Sequence, residues 1–312
     1  KETQHRKEPI NETPPSKQSK MEVITEQPKW FKEALAKDHR DDFIEVDGAK
    51  IHYMEWGDKT KPPVVMVHGN HAHAHWFKFI GGLLAEQYHF AVMSFSGMGK
   101  SDWRPRYDKM TFAEDIWGVA SGLNMENPTI VGHSFGGMIS LATAERYSEY
   151  MSSLILVDFV VRKPENHYEW YESMSPAAPP KYRDTKEELI QRFRLMPPQE
   201  CENQFLLDYI AERSITQTEE GWRWSFDPST YDHLIIGNKQ SEALNNLSCP
   251  VGFMYGENTA EFGIGGNALE EMFELLPDSS PVVELKDAQH HLMLDKPLEF
   301  IDVLDKMIKK LI

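Results

Sequence analysis

The stretch Thr129-Ile130-Val131-Gly132-His133-Ser134-Phe135-Gly136-Gly137 opens as an apolar β-type run, passes through a glycine-flanked serine, and continues into a helix-like segment to Tyr147. It contains the pattern G-x-S-x-G, and the strand before and helix after supply the context that pattern needs. A serine alcohol is a poor nucleophile at its own pKa. It gains reactivity on a sharp strand-to-helix turn, where its oxygen is exposed, a base can reach it, and the positive helix N-terminus faces developing negative charge. Gly132 and Gly136 permit the crowding of such a turn.

Outward from this turn, buried-strand runs recur at 63–68, 89–95, 154–157 and 251–255, with shorter β-type runs at 43–46, 51–56 and 282–285. Helical patterns lie between them at 111–123 and 267–276, and Trp30, Phe31, Ala34 and Leu35 have the spacing of a short amphipathic helix. Nearly continuous apolar strands alternating with helices predict an α/β fold, a mostly parallel central sheet with helices on both faces. The interval 162–245 breaks the rhythm with Pro, Glu, Lys and scattered aromatics, and reads as an inserted helical cap. Residues 1–27 read as a disordered or tag-like tail, leaving 28–161 and 246–312 as the core.

Composition narrows the function. The chain of 312 residues carries 33 Lys and Arg against 49 Asp and Glu, a formal net charge of −16, which repels nucleic acid and anionic membranes. Two cysteines, Cys201 and Cys249, suggest neither a disulfide framework nor a thiolate metal site. No apolar run reaches the roughly 20 residues of a membrane span. The expectation is a cytoplasmic protein with a small apolar or weakly polar acyl substrate, no nucleic-acid partner and no stable membrane insertion. Oligomeric state is not legible.

The strand order, the His68-Gly69 turn, the segment Ser96-Gly97-Met98-Gly99-Lys100-Ser101-Asp102 and the Gly132–Gly137 elbow together resemble the α/β-hydrolase fold family over about residues 40–312. That resemblance implies a serine esterase or lipase-like hydrolase with no cofactor. It implies oxyanion-hole N–H groups on Asn70 and Phe135, and a cap whose aromatics Trp170, Trp222 and Trp224 line an acyl or alcohol pocket. It places the general base in the loop after the last strand, where His290-His291-Leu292-Met293-Leu294-Asp295-Lys296-Pro297 fits best with His290 catalytic. The chain departs from the family at the acid, because Gly256-Glu257-Asn258-Thr259 carries Thr at the usual position of an Asp. Asp158, at the end of the 154–157 strand, is the leading substitute, with Glu257 and Glu261 as alternatives.

Two other readings compete. His71, His73 and His75 have H-x-H spacing that can ligate zinc, but no carboxylate cluster completes a hydrolytic metal site, so none is expected. The missing acid would also suit a small-molecule receptor built on the same fold, although Ser134 and His290 count against it. The expectation is a carboxylesterase working through an acyl-enzyme on Ser134 with a Ser-His-Asp triad, carbon–carbon hydrolases and lyases of the fold sharing the same elbow.

Overall fold

The structure, a computed structural model, describes residues 21–168, 171, 176–259 and 267–312. Strands β1 (Arg40–Val46), β2 (Ala49–Trp56), β3 (Pro63–Val67), β4 (His89–Met93), β5 (Thr129–His133) and β6 (Ser153–Val157) are followed by a short pair, β7 (Ile215–Thr218) and β8 (Gly221–Trp224). Then come β9 (Val251–Gly256) and β10 (Val282–Leu285). All but β7 and β8 join one eight-stranded sheet in the order β1-β2-β4-β3-β5-β6-β9-β10. The β1–β2 and β2–β4 pairings are antiparallel, and every pairing from β4 to β10 is parallel.

Helices α1 (Lys29–Ala36), α2 (Lys78–Leu84), α3 (Lys109–Gly122) and α4 (Phe135–Tyr147) precede the 162–245 segment. That segment carries α5 (Lys186–Ile190), α6 (Gln204–Glu212) and α7 (Gln240–Asn245), and α8 (Asn267–Leu275), α9 (Leu292–Asp295) and α10 (Pro297–Leu311) follow it. Side chains of the central strands alternate between the faces, as the two-residue period of a strand requires. Val65, Val67, Ile130, Leu154 and Leu156 meet Phe112 and Ile116 of α3 and Ile139 of α4. Val64, Met66, Val131, Ile155 and Val157 meet Phe31 of α1, Ile80 of α2 and Phe300 and Leu304 of α10. Both faces are therefore dry, which explains why these strands read as continuous apolar runs. Each such buried side chain contributes about 1.5–3 kcal/mol relative to exposure.

The helix α3 starts two residues before its expected position because the Asp108 carboxylate accepts the Thr111 N–H at 2.8 Å and caps it. The 162–245 segment holds the β7–β8 ribbon as well as helices. It is stitched to the loop after β4 by Gly99 N–H donating to Ser225 O and Asp227 N–H to Gly97 O, each at 2.7 Å. Among the described residues no helix is long and apolar enough to cross a membrane.

Candidate active site

Register decides which loop residues become neighbours. His133 of β5 pairs with Val157 of β6, so the next residues, Ser134 and Asp158, leave the sheet side by side at its C-terminal edge. Ser134 takes φ 55° and ψ −120°, left-handed backbone that costs a non-glycine residue energy and lifts the side chain out of the strand direction. Only glycine suits the flanking positions: a Cβ on Gly132 would stand 2.4 Å from the Gly136 carbonyl oxygen, and one on Gly136 would stand 2.3 Å from that of His68.

His290, in the loop after β10, reaches both residues. Its Nδ1 lies 2.6 Å from Asp158 Oδ2 and its Nε2 3.0 Å from Ser134 Oγ. An ionised carboxylate only accepts, so Nδ1 carries the proton and Nε2 is left to accept the serine O–H. Asp158 Oδ2 also accepts the Thr259 hydroxyl at 2.7 Å, and Oδ1 accepts the Gly256 N–H at 2.9 Å. Asp158 and His290 are buried, whereas Ser134 is partly exposed. Of the alternative acids, Glu257 is occupied with the Asp287 N–H at 2.9 Å. Glu261 lies outside the described residues, as does Trp170.

The turn at His68-Gly69 is held by the His68 ring. Its Nε2 accepts the Phe95 N–H at 3.1 Å, so Nδ1 carries the proton and donates to the Gly69 carbonyl at 2.8 Å. Burial pulls the pKa of this imidazole down to about 4, which keeps that tautomer neutral. Asn70 follows the turn, and Phe135 opens α4. Neither backbone N–H donates to a protein acceptor among the described residues.

A family model described as the alpha/beta hydrolase fold matches residues 62–195. The chain has the α/β-hydrolase fold. The chain is similar to the sn-1-specific diacylglycerol lipase ABHD11 of Danio rerio, 26% identical over 78% of the chain and 77% of the relative. It is also similar to the cis-3-alkyl-4-alkyloxetan-2-one decarboxylase of Shewanella oneidensis, 32% identical over 37% of each. The chain spans only about a third of the length of several such relatives, 34% for the serine hydrolase-like protein of Mus musculus. Among solved structures, the thioesterase domain from the curacin biosynthetic pathway superposes with a TM-score of 0.71 at 21% identity, covering 86% of this chain and 99% of that one. At that identity the likeness speaks for the fold alone.

Within this fold the loop bearing His290 is clamped by its neighbours. The His290 carbonyl accepts from His133 Nε2 at 2.8 Å. The Gln289 N–H donates to Asp295 Oδ2 at 2.7 Å, and the His291 N–H to Gln199 Oε1 at 2.9 Å. Gln199 Nε2 closes the ring on Asp295 Oδ1 at 2.9 Å, and burial pushes the Asp295 carboxyl up to about 6. His291 itself turns away, its Nε2 2.9 Å from the Met196 carbonyl.

The H-x-H-x-H run ties the sheet and its helices to the 162–245 segment. His71 Nε2 bonds Thr230 Oγ1 at 2.7 Å, His73 Nε2 bonds Ser214 Oγ at 2.8 Å, and His75 Nδ1 lies 3.4 Å from the Tyr209 hydroxyl. Burial pulls His71 to about 4 and His75 to about 3, so both bond as neutral rings. Of the expected aromatics, Trp222 and Trp224 both lie on β8. Trp224 stands 6.3 Å from Phe193, and Trp222 joins the ribbon, its backbone N–H and C=O paired with Arg183. Phe226 and Tyr231 stack on the His71 ring, at 4.0 and 4.5 Å, and Tyr231 also packs 4.9 Å from Phe135. Nothing in spacing singled these two out, because their role depends on how the segment folds back.

Proposed function

We propose that this chain is a carboxylic ester hydrolase that forms an acyl-enzyme on Ser134. The observation that carries the reading is the unbroken relay from Ser134 Oγ to His290 Nε2 at 3.0 Å and from His290 Nδ1 to Asp158 Oδ2 at 2.6 Å. As Ser134 Oγ attacks the acyl carbonyl, its proton passes to His290 Nε2, and Asp158 stabilises the imidazolium without taking the proton itself. The Asn70 and Phe135 N–H groups bond the oxyanion of the tetrahedral intermediate. His290 then protonates the leaving alcohol, and water, deprotonated by the same ring, releases the acid. No cofactor enters this cycle. Residues 162–245 act as a cap over the site, and the lipase named among the relatives supports an acyl ester as substrate class.

The test is hydrolysis of short and medium p-nitrophenyl esters by the wild type and by Ser134→Ala, side by side with EDTA present. Activity that resists the chelator and falls by about 10⁴ to 10⁶ in the variant is expected, in line with loss of a triad nucleophile. Equal activity of the two proteins would overturn the assignment.

A further inference from the structure

Behind the rings that flank the oxyanion loop lies a pocket of about 490 Å³ with an unusual charge pattern. Its body is apolar, with Trp224 and Phe226 among prolines and alanines, yet Lys181, Arg183, Arg192 and Arg223 all line it, and among the described residues no Asp or Glu does. In a chain of net charge −16, four cationic residues along one concavity run against the average surface, Arg223 bordering a neighbouring pocket as well. Among the described residues none of the four forms an ion pair. Arg223 lies over the Trp103 ring at 4.5 Å and donates to the Trp224 carbonyl at 2.9 Å. The nearby Asp227 carboxylate is occupied by the Tyr107 hydroxyl and by Ser229. Unneutralised cations repel one another, and an anion placed among them relieves that repulsion through charge-assisted bonds.

The pocket also adjoins the loop that carries Asn70. Phe226 forms part of its wall, and the same ring stacks on His71 at 4.0 Å with an interplanar angle of 5°. His71 follows Asn70, so one aromatic ring separates the pocket from the oxyanion loop. An apolar pocket rimmed by a few convergent charges is the usual form of a small-molecule site.

We infer that the substrate carries an apolar chain ending in a carboxylate or a phosphate, and that this pocket receives that end against Arg183, Arg192 and Arg223. The inference rests on Ser134 acting on an acyl group, and two separate measurements keep the ideas apart. In the first, the Ser134→Ala protein is titrated calorimetrically with octanoate, octyl phosphate and octanol at low and high salt. At least tenfold tighter binding of one anion than of octanol is expected, weakening with salt, and the preferred anion identifies the head group. Arg192→Gln and Arg223→Gln, checked for folding by circular dichroism, should each lower that preference severalfold; Arg192 is exposed, so its variant keeps the test valid if Arg223→Gln misfolds. Octanol binding as tightly as both anions would overturn the assignment.

In the second, kcat/KM is compared for p-nitrophenyl octanoate and the mono-p-nitrophenyl ester of suberic acid, whose free carboxylate mimics the head group. A preference for the anionic ester that drops about tenfold in the double Arg variant supports the pocket. Brisk hydrolysis of both esters with no preference, and no tighter binding of either anion, sinks the pocket and spares the hydrolase. Tight, charge-dependent anion binding with neither ester cleaved sinks the hydrolase and spares the pocket.

Discussion

Thr259 stands where the fold family usually places its acid, and it donates its hydroxyl to Asp158, the carboxylate we propose in that role. Asp158 takes three donors, the Gly256 N–H, the Thr259 hydroxyl and His290 Nδ1–H, so its charge is held in one orientation although it is buried. Burying an unpaired carboxylate would be prohibitive, and these bonds offset that cost. Replacing Asp158 by Asn should lower kcat on p-nitrophenyl esters by about 10⁴, because the imidazole loses its tautomer and its counter-charge. Thr259→Val removes one bond to a charged group, worth about 1.5–3 kcal/mol, so a loss of about ten- to a hundredfold is expected. Circular dichroism should show both variants folded. A Thr259→Val protein with wild-type kcat would show that the hydroxyl does not help to position Asp158.

Among elements, the decisive join is between the 162–245 segment and the loop that follows β10. Gln199 comes from the segment, Asp295 from α9, and together they hold the two amides on either side of His290. Gln199 touches neither Ser134 nor the His290 ring in this arrangement. On the proposed mechanism it is a positioning residue, linking the placement of His290 to that of the 162–245 segment. Gln199→Ala should therefore lower kcat severalfold with KM nearly unchanged, as loss of hydrogen bonds worth about 1 kcal/mol each predicts. Stopped-flow or steady-state kinetics reads this directly, and Gln199→Glu, which keeps the acceptor for the His291 N–H but sets a second carboxylate beside Asp295, should not restore activity. A change confined to KM would place Gln199 in substrate binding instead.

For the whole molecule, buried imidazoles govern the response to acid. Burial pulls His68 and His71 to about 4 and His75 and His291 to about 3, and pulls His73 and His133 well below the usual range. The unfolded chain binds these protons near pH 6.5 and the folded chain does not, so stability is present above that pH and is lost as pH falls toward 4. Asp115 and Asp295, both raised by burial to about 6, act the other way: the folded state keeps their protons longer, so they favour the fold below about pH 6 and lose that contribution as pH rises through it. Six imidazoles outweigh two carboxyls. Differential scanning calorimetry should show Tm falling by about 10 °C or more between pH 7 and pH 5, each kcal/mol being worth a few degrees at this size. A Tm that is flat or rises over that range would mean the histidines are hydrated in the native protein.

Local chemistry made much of this legible from the chain alone. Apolar continuity at Val64–Val67, Ile130–Val131 and Leu154–Val157 follows from burial on both faces of a parallel sheet, and burial leaves its mark in residue type at each position. The glycines around Ser134 are equally local, since they answer a steric demand within five residues of chain. The acid had no such mark. Asp158, Glu257 and Glu261 are chemically interchangeable in the sequence, and only the pairing of His133 with Val157, followed by a contact to a residue 132 positions away, brings Asp158 to His290. The same holds for Gln199 and for Phe226 and Tyr231, whose partners are brought close by the path of a segment with no strong period of its own. Patterning determined the sheet and the nucleophile, because both depend on neighbours along the chain. The tertiary structure decided which carboxylate meets His290, what clamps the His290 loop and which cationic residues line one pocket, because those depend on distances that no spacing encodes.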